Sequence, residues 1–147
     1  MTKDHVIAHL KMIQDVITRM ASNSASMKRY AVIVVGAGFV FLRLSENTSA
    51  WSVLPLTIML GVMGILDAWY LHLEQLFRDL YDDTRTKEQT RFTMDISRFR
   101  QKRGGSFRGV VKKFCSLSVW SFYLTLALIL ISAAFFRAGL ILPPSAS

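Results

Sequence analysis

Cysteine is almost missing from this chain: Cys115 is the only one. A single thiol excludes an internal disulfide framework and cannot build a cysteine metal cluster. Acidic residues are scarce too, 10 Asp and Glu against 18 Lys and Arg in 147 residues, for a net charge of +8. There is no glycine-rich phosphate loop, no nucleophile elbow and no Cys–His pairing. Asp79, Asp82 and Asp83 lack calcium-loop spacing. These absences argue against an enzyme. His5 and His9 stand one helical turn apart, a spacing that can chelate a metal. Only Asp4 is near as a third ligand, so neither a metal nor a cofactor is expected. Residues 1–25 also lack the continuous apolar core of a cleavable leader. Any entry into a membrane is expected to be directed by an internal segment.

What the chain has in quantity is apolar surface. It is 52% hydrophobic with a mean hydropathy of +0.33, high for a soluble protein that must keep a charged exterior. High apolarity beside high basicity suggests membrane spans with the charge segregated between them. The same basicity spread over a soluble domain would point to nucleic acid. Here the basic residues adjoin apolar runs, which argues against that partner.

From Lys3 to Met20 the apolar positions Val6, Leu10, Ile13, Ile17 and Met20 keep a helical period. Residues 1–27 are therefore expected to form a cytoplasmic amphipathic helix. The first span is placed at 28–44, although its uninterrupted apolar part, Tyr30 to Leu42, covers only about 20 Å as a helix. Small residues and snorkelling charges at its ends would have to complete the crossing. The second span is expected at 51–73, opening on the interfacial residue Trp51 with Pro55 in its first turns. Leu73, Leu76, Phe77, Leu80 and Tyr81 continue one apolar face beyond it. Residues 74–113 are read as a cytoplasmic helix and basic loop, with "KRGGSFRG" as a flexible break. The third span, 114–136, has 23 residues without a charge, and 137–147 form an external tail. Sixteen of the 18 Lys and Arg then fall on the side of the N-terminus, which the positive-inside tendency assigns to the cytoplasm. The fold class expected is all-α integral membrane, with three transmembrane helices and a cytoplasmic helical hairpin extension.

Asp67 interrupts the second span. Counting 1.5 Å per residue from Trp51 puts it about 24 Å down that helix. Lys28 and Arg29 reach a similar level in the first helix, about 21 to 22 Å from Arg43. An unpaired carboxylate at the inner edge of the hydrocarbon costs several kcal/mol. An interhelical ion pair from Asp67 to Lys28 or Arg29 is therefore expected. Solvation among headgroups and proton or ion handling are the competing readings.

Two further constellations stand out. Ser118, Thr125 and Ser132 recur at steps of seven with Ser121 close by. Such a stripe either lines a polar path in an oligomer or packs helices through small polar groups. Arg91, Arg98, Arg100, Lys102, Arg103, Arg108, Lys112 and Lys113 interleave with aromatics. Attraction to the anionic headgroups of the lipid bilayer explains this segment most simply. A nucleotide or other anionic ligand and a cytoplasmic protein partner are the alternatives.

The stretch "HLKMIQDVITRMASNSASMKRYAVIVVGA", followed by "LDAWYLHLEQLFRDLYDDTR", resembles a group of small bacterial inner-membrane proteins without assigned chemistry. Carried onto this chain, the resemblance implies one signature of Gln14, Arg19, Met20, Asn23, Ser24 and Lys28. It implies a second of Asp67, Tyr70, Glu74, Arg78, Tyr81 and Asp82, both at the cytoplasmic face. More loosely, the layout is similar to small two-span effector modules of antiphage and nucleotide-signalling loci, though this chain has a third span and no sensor domain. That likeness implies a homo-oligomer that perturbs or perforates the membrane. The alternative expectation is a non-enzymatic anchor or accessory subunit recruiting a cytoplasmic partner.

Overall fold

The computed structural model of the chain describes residues 3–44, 50–86, 93–102, 105–137 and 139. Five α-helices run in the order α1 (Lys3–Leu44), α2 (Leu54–Arg85), α3 (Ser97–Lys102), α4 (Gly105–Phe114) and α5 (Leu117–Arg137), with a 3-10 turn at Ala50–Val53 leading into α2. No strand occurs among the described residues. Three of the helices, α1, α2 and α5, are long and apolar enough to cross a membrane.

The expected break between an amphipathic helix at 1–27 and a span at 28–44 is absent, because α1 is continuous for 42 residues. "ASNSAS" stays helical since its small residues crowd nothing. Nearby hydroxyls are satisfied locally: Ser26 donates to the Ser22 carbonyl at 3.0 Å and Thr18 to the Gln14 carbonyl at 3.0 Å. At 1.5 Å per residue this helix is about 63 Å long, twice a hydrocarbon core. Its buried positions include His9, Ile13, Ser24, Ala31, Val35 and Leu42. Steps of seven recur among them, the spacing of a helix that keeps one seam towards a neighbour.

That neighbour is chiefly α2, whose buried residues recur every fourth position: Leu60, Gly64, Ala68, His72, Leu76, Leu80 and Thr84, with Asp67 beside them. A four-residue step overshoots the turn by about 40°, so over six steps the buried line rotates by about 240°. One helix can thereby serve several partners. α2 meets α1 along their shared length, α5 near Gly64 and α4 near His72. The second helix starts at Leu54 rather than at Trp51, which lies exposed in the 3-10 turn.

Residues 93–114 are folded rather than a loose loop. The His9 ring approaches the Thr93 carbonyl through Nε2 at 3.2 Å, tying this segment to the start of α1. Asp95 accepts from the Ser97 N–H at 2.8 Å at the head of α3. That N–H, and then the Ser97 hydroxyl, hold the Asp95 carboxyl below its ordinary range. Arg98 reaches Asp83 at the end of α2 at 3.0 Å. Only part of "KRGGSFRG" breaks the chain. Gly105 takes a φ of +87°, which favours glycine, and α4 follows at once. The third apolar helix therefore begins at Leu117, with Phe114 closing α4 and Cys115–Ser116 making the turn between them. The Ser116 carbonyl accepts from the Val119 and Trp120 N–H groups at 3.0 Å each.

Val119, Tyr123, Leu130 and Ala134 are the buried face of α5, and the outer faces of the three long helices expose Ile33, Val40, Ile58, Ile65 and Leu128. Contiguous apolar surface of that kind is what hydrocarbon covers. Close approach at the end of the bundle away from α4 depends on Gly38. A methyl there would lie 2.6 Å from Leu130 Cδ1 and 3.2 Å from Leu56 Cδ1, whereas Gly36 and Gly61 face open space. Gly38→Val is expected to lower stability by about 1–3 kcal/mol through overpacking. Gly36→Ala and Gly61→Ala are expected to leave it unchanged or slightly raised. Unfolding of purified protein in mixed detergent micelles checks the contrast, and equal losses at all three glycines would refute the packing described.

Candidate functional site

Asp67 is wholly buried, and its two oxygens are served from α1. The Lys28 ammonium lies 2.6 Å from Oδ2. The Ser24 hydroxyl donates to Oδ1. Ser24 and Lys28 are four residues apart, so one turn of α1 presents hydroxyl and ammonium on the same face. Lys28 also donates to Ser24 Oγ at 3.4 Å, which closes the triangle. The lysine side chain is 29% exposed. Its aliphatic stem lies along the bundle while the head turns in to the carboxylate.

Arg29 corrects the expectation that left both bases as candidates. One residue further on, it points about 100° away round the helix. It is exposed, and its Nη2 donates to Ser26 Oγ at 3.0 Å on its own helix. The acid is therefore paired with Lys28 alone of the two. Headgroup solvation fails as an account of Asp67, because no part of its side chain is open to solvent.

A third helix joins the site, which sequence reasoning missed. Tyr123 of α5 is buried with its hydroxyl beside the Asp67 carboxylate, close enough to interact without a well-aligned hydrogen bond. Gly64, one turn before Asp67, makes room for it: a methyl there would stand 3.2 Å from Tyr123 Cγ and from Phe114 Cε2. The edge of Phe122 meets the Tyr123 ring at 5.3 Å between centroids. All three long helices thus converge on one carboxylate.

Of the two signatures quoted above, Ser24, Lys28 and Asp67 come together here, and Glu74 pairs with Arg78 at 2.6 Å one turn further along α2. Gln14, Arg19 and Asp82 face outward, while Met20, Asn23, Tyr70 and Tyr81 are half-buried. His9 is buried against Thr93 and His5 is exposed. Among the described residues no three His, Cys, Asp or Glu side chains gather as a metal site.

The hydroxyl stripe of α5 does not pack against α1 or α2. Ser118, Thr125 and Ser132 are exposed on its outer side, and Ser121 returns its hydroxyl to the Leu117 carbonyl. In the basic segment, Arg98, Arg100, Lys102, Arg108 and Lys112 are exposed and Lys113 is half-buried, while Arg91 and Arg103 lie outside the described residues. Arg98 also stacks on Phe99 at 4.9 Å. His72, unmentioned by any motif, is buried where α4 crosses α2, and Gly109 lies so close that a methyl would strike its ring.

Comparison of this chain with protein-family models, with curated proteins and with solved structures finds no match. The geometry alone carries the functional reading.

Chemically, the arrangement is a neutralised, sealed ion pair suited to fixing helix register. Removing one partner strands a charge, with a cost of about 3–5 kcal/mol for a buried pair. Lys28→Met is expected to lower folded yield and thermal stability sharply, and adding Asp67→Asn to restore most of the loss. Arg29→Ala should be neutral. If the double variant is no better than Lys28→Met alone, the pair does not hold the helices.

Proposed function

We propose that this chain is a non-enzymatic protein of the bacterial inner membrane. It crosses three times through α1, α2 and α5, with the N-terminus in the cytoplasm and the C-terminus outside. It assembles with copies of itself into a membrane-perturbing or pore-forming effector of the kind used in antiphage defence. The observation that carries the reading is the outward direction of Ser118, Thr125 and Ser132. Over about 21 Å of α5 these hydroxyls would face hydrocarbon in a lone copy. Facing each other across a helix–helix contact, or lining a wet path, they gain partners. Asp67 is no part of such a path, since Lys28 and Ser24 neutralise and enclose it.

A second reading draws on the ordered basic surface. Arg98, Arg100, Lys102, Arg108 and Lys112 all point outward from α3 and α4. As an anchor, the protein would hold that surface against anionic headgroups and dock a cytoplasmic protein or a nucleotide there. The sixteen bases expected on this side support the orientation under either reading.

Single cysteines placed at Ser118, Thr125 or Ser132 in a Cys115→Ser background test the assembly. Crosslinked dimers are expected at these positions in membranes and not for Ile33→Cys, which lies on the exposed face of α1. Reconstituted protein should also release a trapped dye from liposomes, and Thr125→Leu with Ser132→Leu should reduce that release several-fold. Crosslinks equal at Ile33, or liposomes that stay sealed, would overturn the effector reading and leave the anchor.

A further inference from the structure

Between α2 and α4 lies a cavity of about 470 Å³, lined by His72, Gln75, Gly109, Lys112, Lys113 and Ser116. We infer that this cavity is a binding site for a phosphate group, occupied in the membrane by the headgroup of an anionic phospholipid.

The composition of the wall points to an anion. It holds two lysines, one imidazole, one amide and one hydroxyl, with no carboxylate among them. Ammonium, imidazole N–H, amide N–H and hydroxyl are all able to donate to phosphate oxygens. In a chain whose basic residues elsewhere meet acids, as at Asp67–Lys28 and Asp83–Arg98, an acid-free wall with two ammonium groups marks a place that attracts negative charge.

Its level in the fold indicates where the phosphate comes from. Ser116 and Lys113 directly precede Leu117, the first residue of the longest uncharged run. The cavity therefore sits where α5 would enter the hydrocarbon, the depth of lipid phosphates. Exposed apolar groups flank it on the same elements. Phe107 of α4 is 81% exposed and Leu117 is 77% exposed. They are suited to sit among the acyl chains just below a bound headgroup. This differs from diffuse attraction by the exposed arginines of α3, because it is one enclosed site with defined walls. It is made by the crossing of α4 on the His72 ring, which Gly109 alone allows. The inference relies on α5 entering a membrane and not on self-assembly.

Native mass spectrometry of protein drawn from bilayers of phosphatidylglycerol mixed with phosphatidylcholine tests the site. One phosphatidylglycerol per chain is expected to persist in preference to phosphatidylcholine. Lys112→Gln with Lys113→Gln should reduce that retention by about an order of magnitude, at about 1 kcal/mol per lysine. Arg98→Gln with Arg100→Gln removes the same charge outside the cavity and should leave the bound lipid in place. Should the lysine pair of changes impair folding by circular dichroism, Lys112→Gln alone, at an exposed position, serves the same comparison. A parallel arm measures thermal stability in lipid-free detergent with inorganic phosphate against chloride at equal ionic strength. Stabilisation there that depends on Lys112 and Lys113, without lipid preference, would keep the phosphate site and assign its source to a soluble ligand. Equal loss from the arginine changes, or no preference in either arm, would overturn the inference.

Discussion

A carboxylate removed from water must be neutralised or solvated by something, and here one turn of a neighbouring helix does both. Lys28 supplies the charge and Ser24 the hydrogen bond, so Asp67 can lie at full burial between α1 and α2. The pairing is demanding in geometry. Sliding either helix by one residue would move the partners about 1.5 Å along the axis and 100° round it, leaving the acid bare. Apolar faces alone tolerate such slips more readily, because one aliphatic contact substitutes for another. The ion pair thus selects one register among many of similar hydrophobic burial, as buried polar groups do in helical assemblies.

The lateral arrangement follows from the same point. Tyr123 brings α5 to the carboxylate, and Gly64 provides the space for its ring. From there the four-residue repeat of α2 turns its buried line away, so that one turn beyond Asp67 the helix presents His72 to α4 instead. Two glycines, Gly64 and Gly109, therefore decide which helix lies against which stretch of α2. Gly38 does the same against Leu130 at the other end. Small residues at crossings are the expected means of bringing backbones together where water exclusion no longer drives association.

Much of this was legible in the sequence. The three long apolar helices follow from run length and charge segregation, and the level of Asp67 against the Lys28–Arg29 pair follows from a constant rise per residue. The choice between the two bases did not, because it depends on the rotational phase of α1 relative to α2. Ser24 stood in a small polar stretch whose position one turn before Lys28 was the available signal. Tyr123 was hidden for a different reason. α5 is apolar almost all round, so periodicity does not say which face turns inward. His72 was recoverable as the member of a four-residue series between Ala68 and Leu76. The folding of residues 93–114 was not recoverable. Its short helices are weak by propensity and are held by contacts made at a distance in the chain, His9 to Thr93 and Asp83 to Arg98.

The unbroken length of α1 carries a mechanical implication. A rod of about 63 Å, clamped a little past its midpoint where Lys28 grips Asp67, behaves as a lever with two arms. Bending is resisted by every backbone hydrogen bond along it, so a push on the arm that bears His9 cannot be absorbed locally. The motion must reappear, reversed in direction, at the opposite tip near Leu42, with the buried salt bridge acting as the fulcrum.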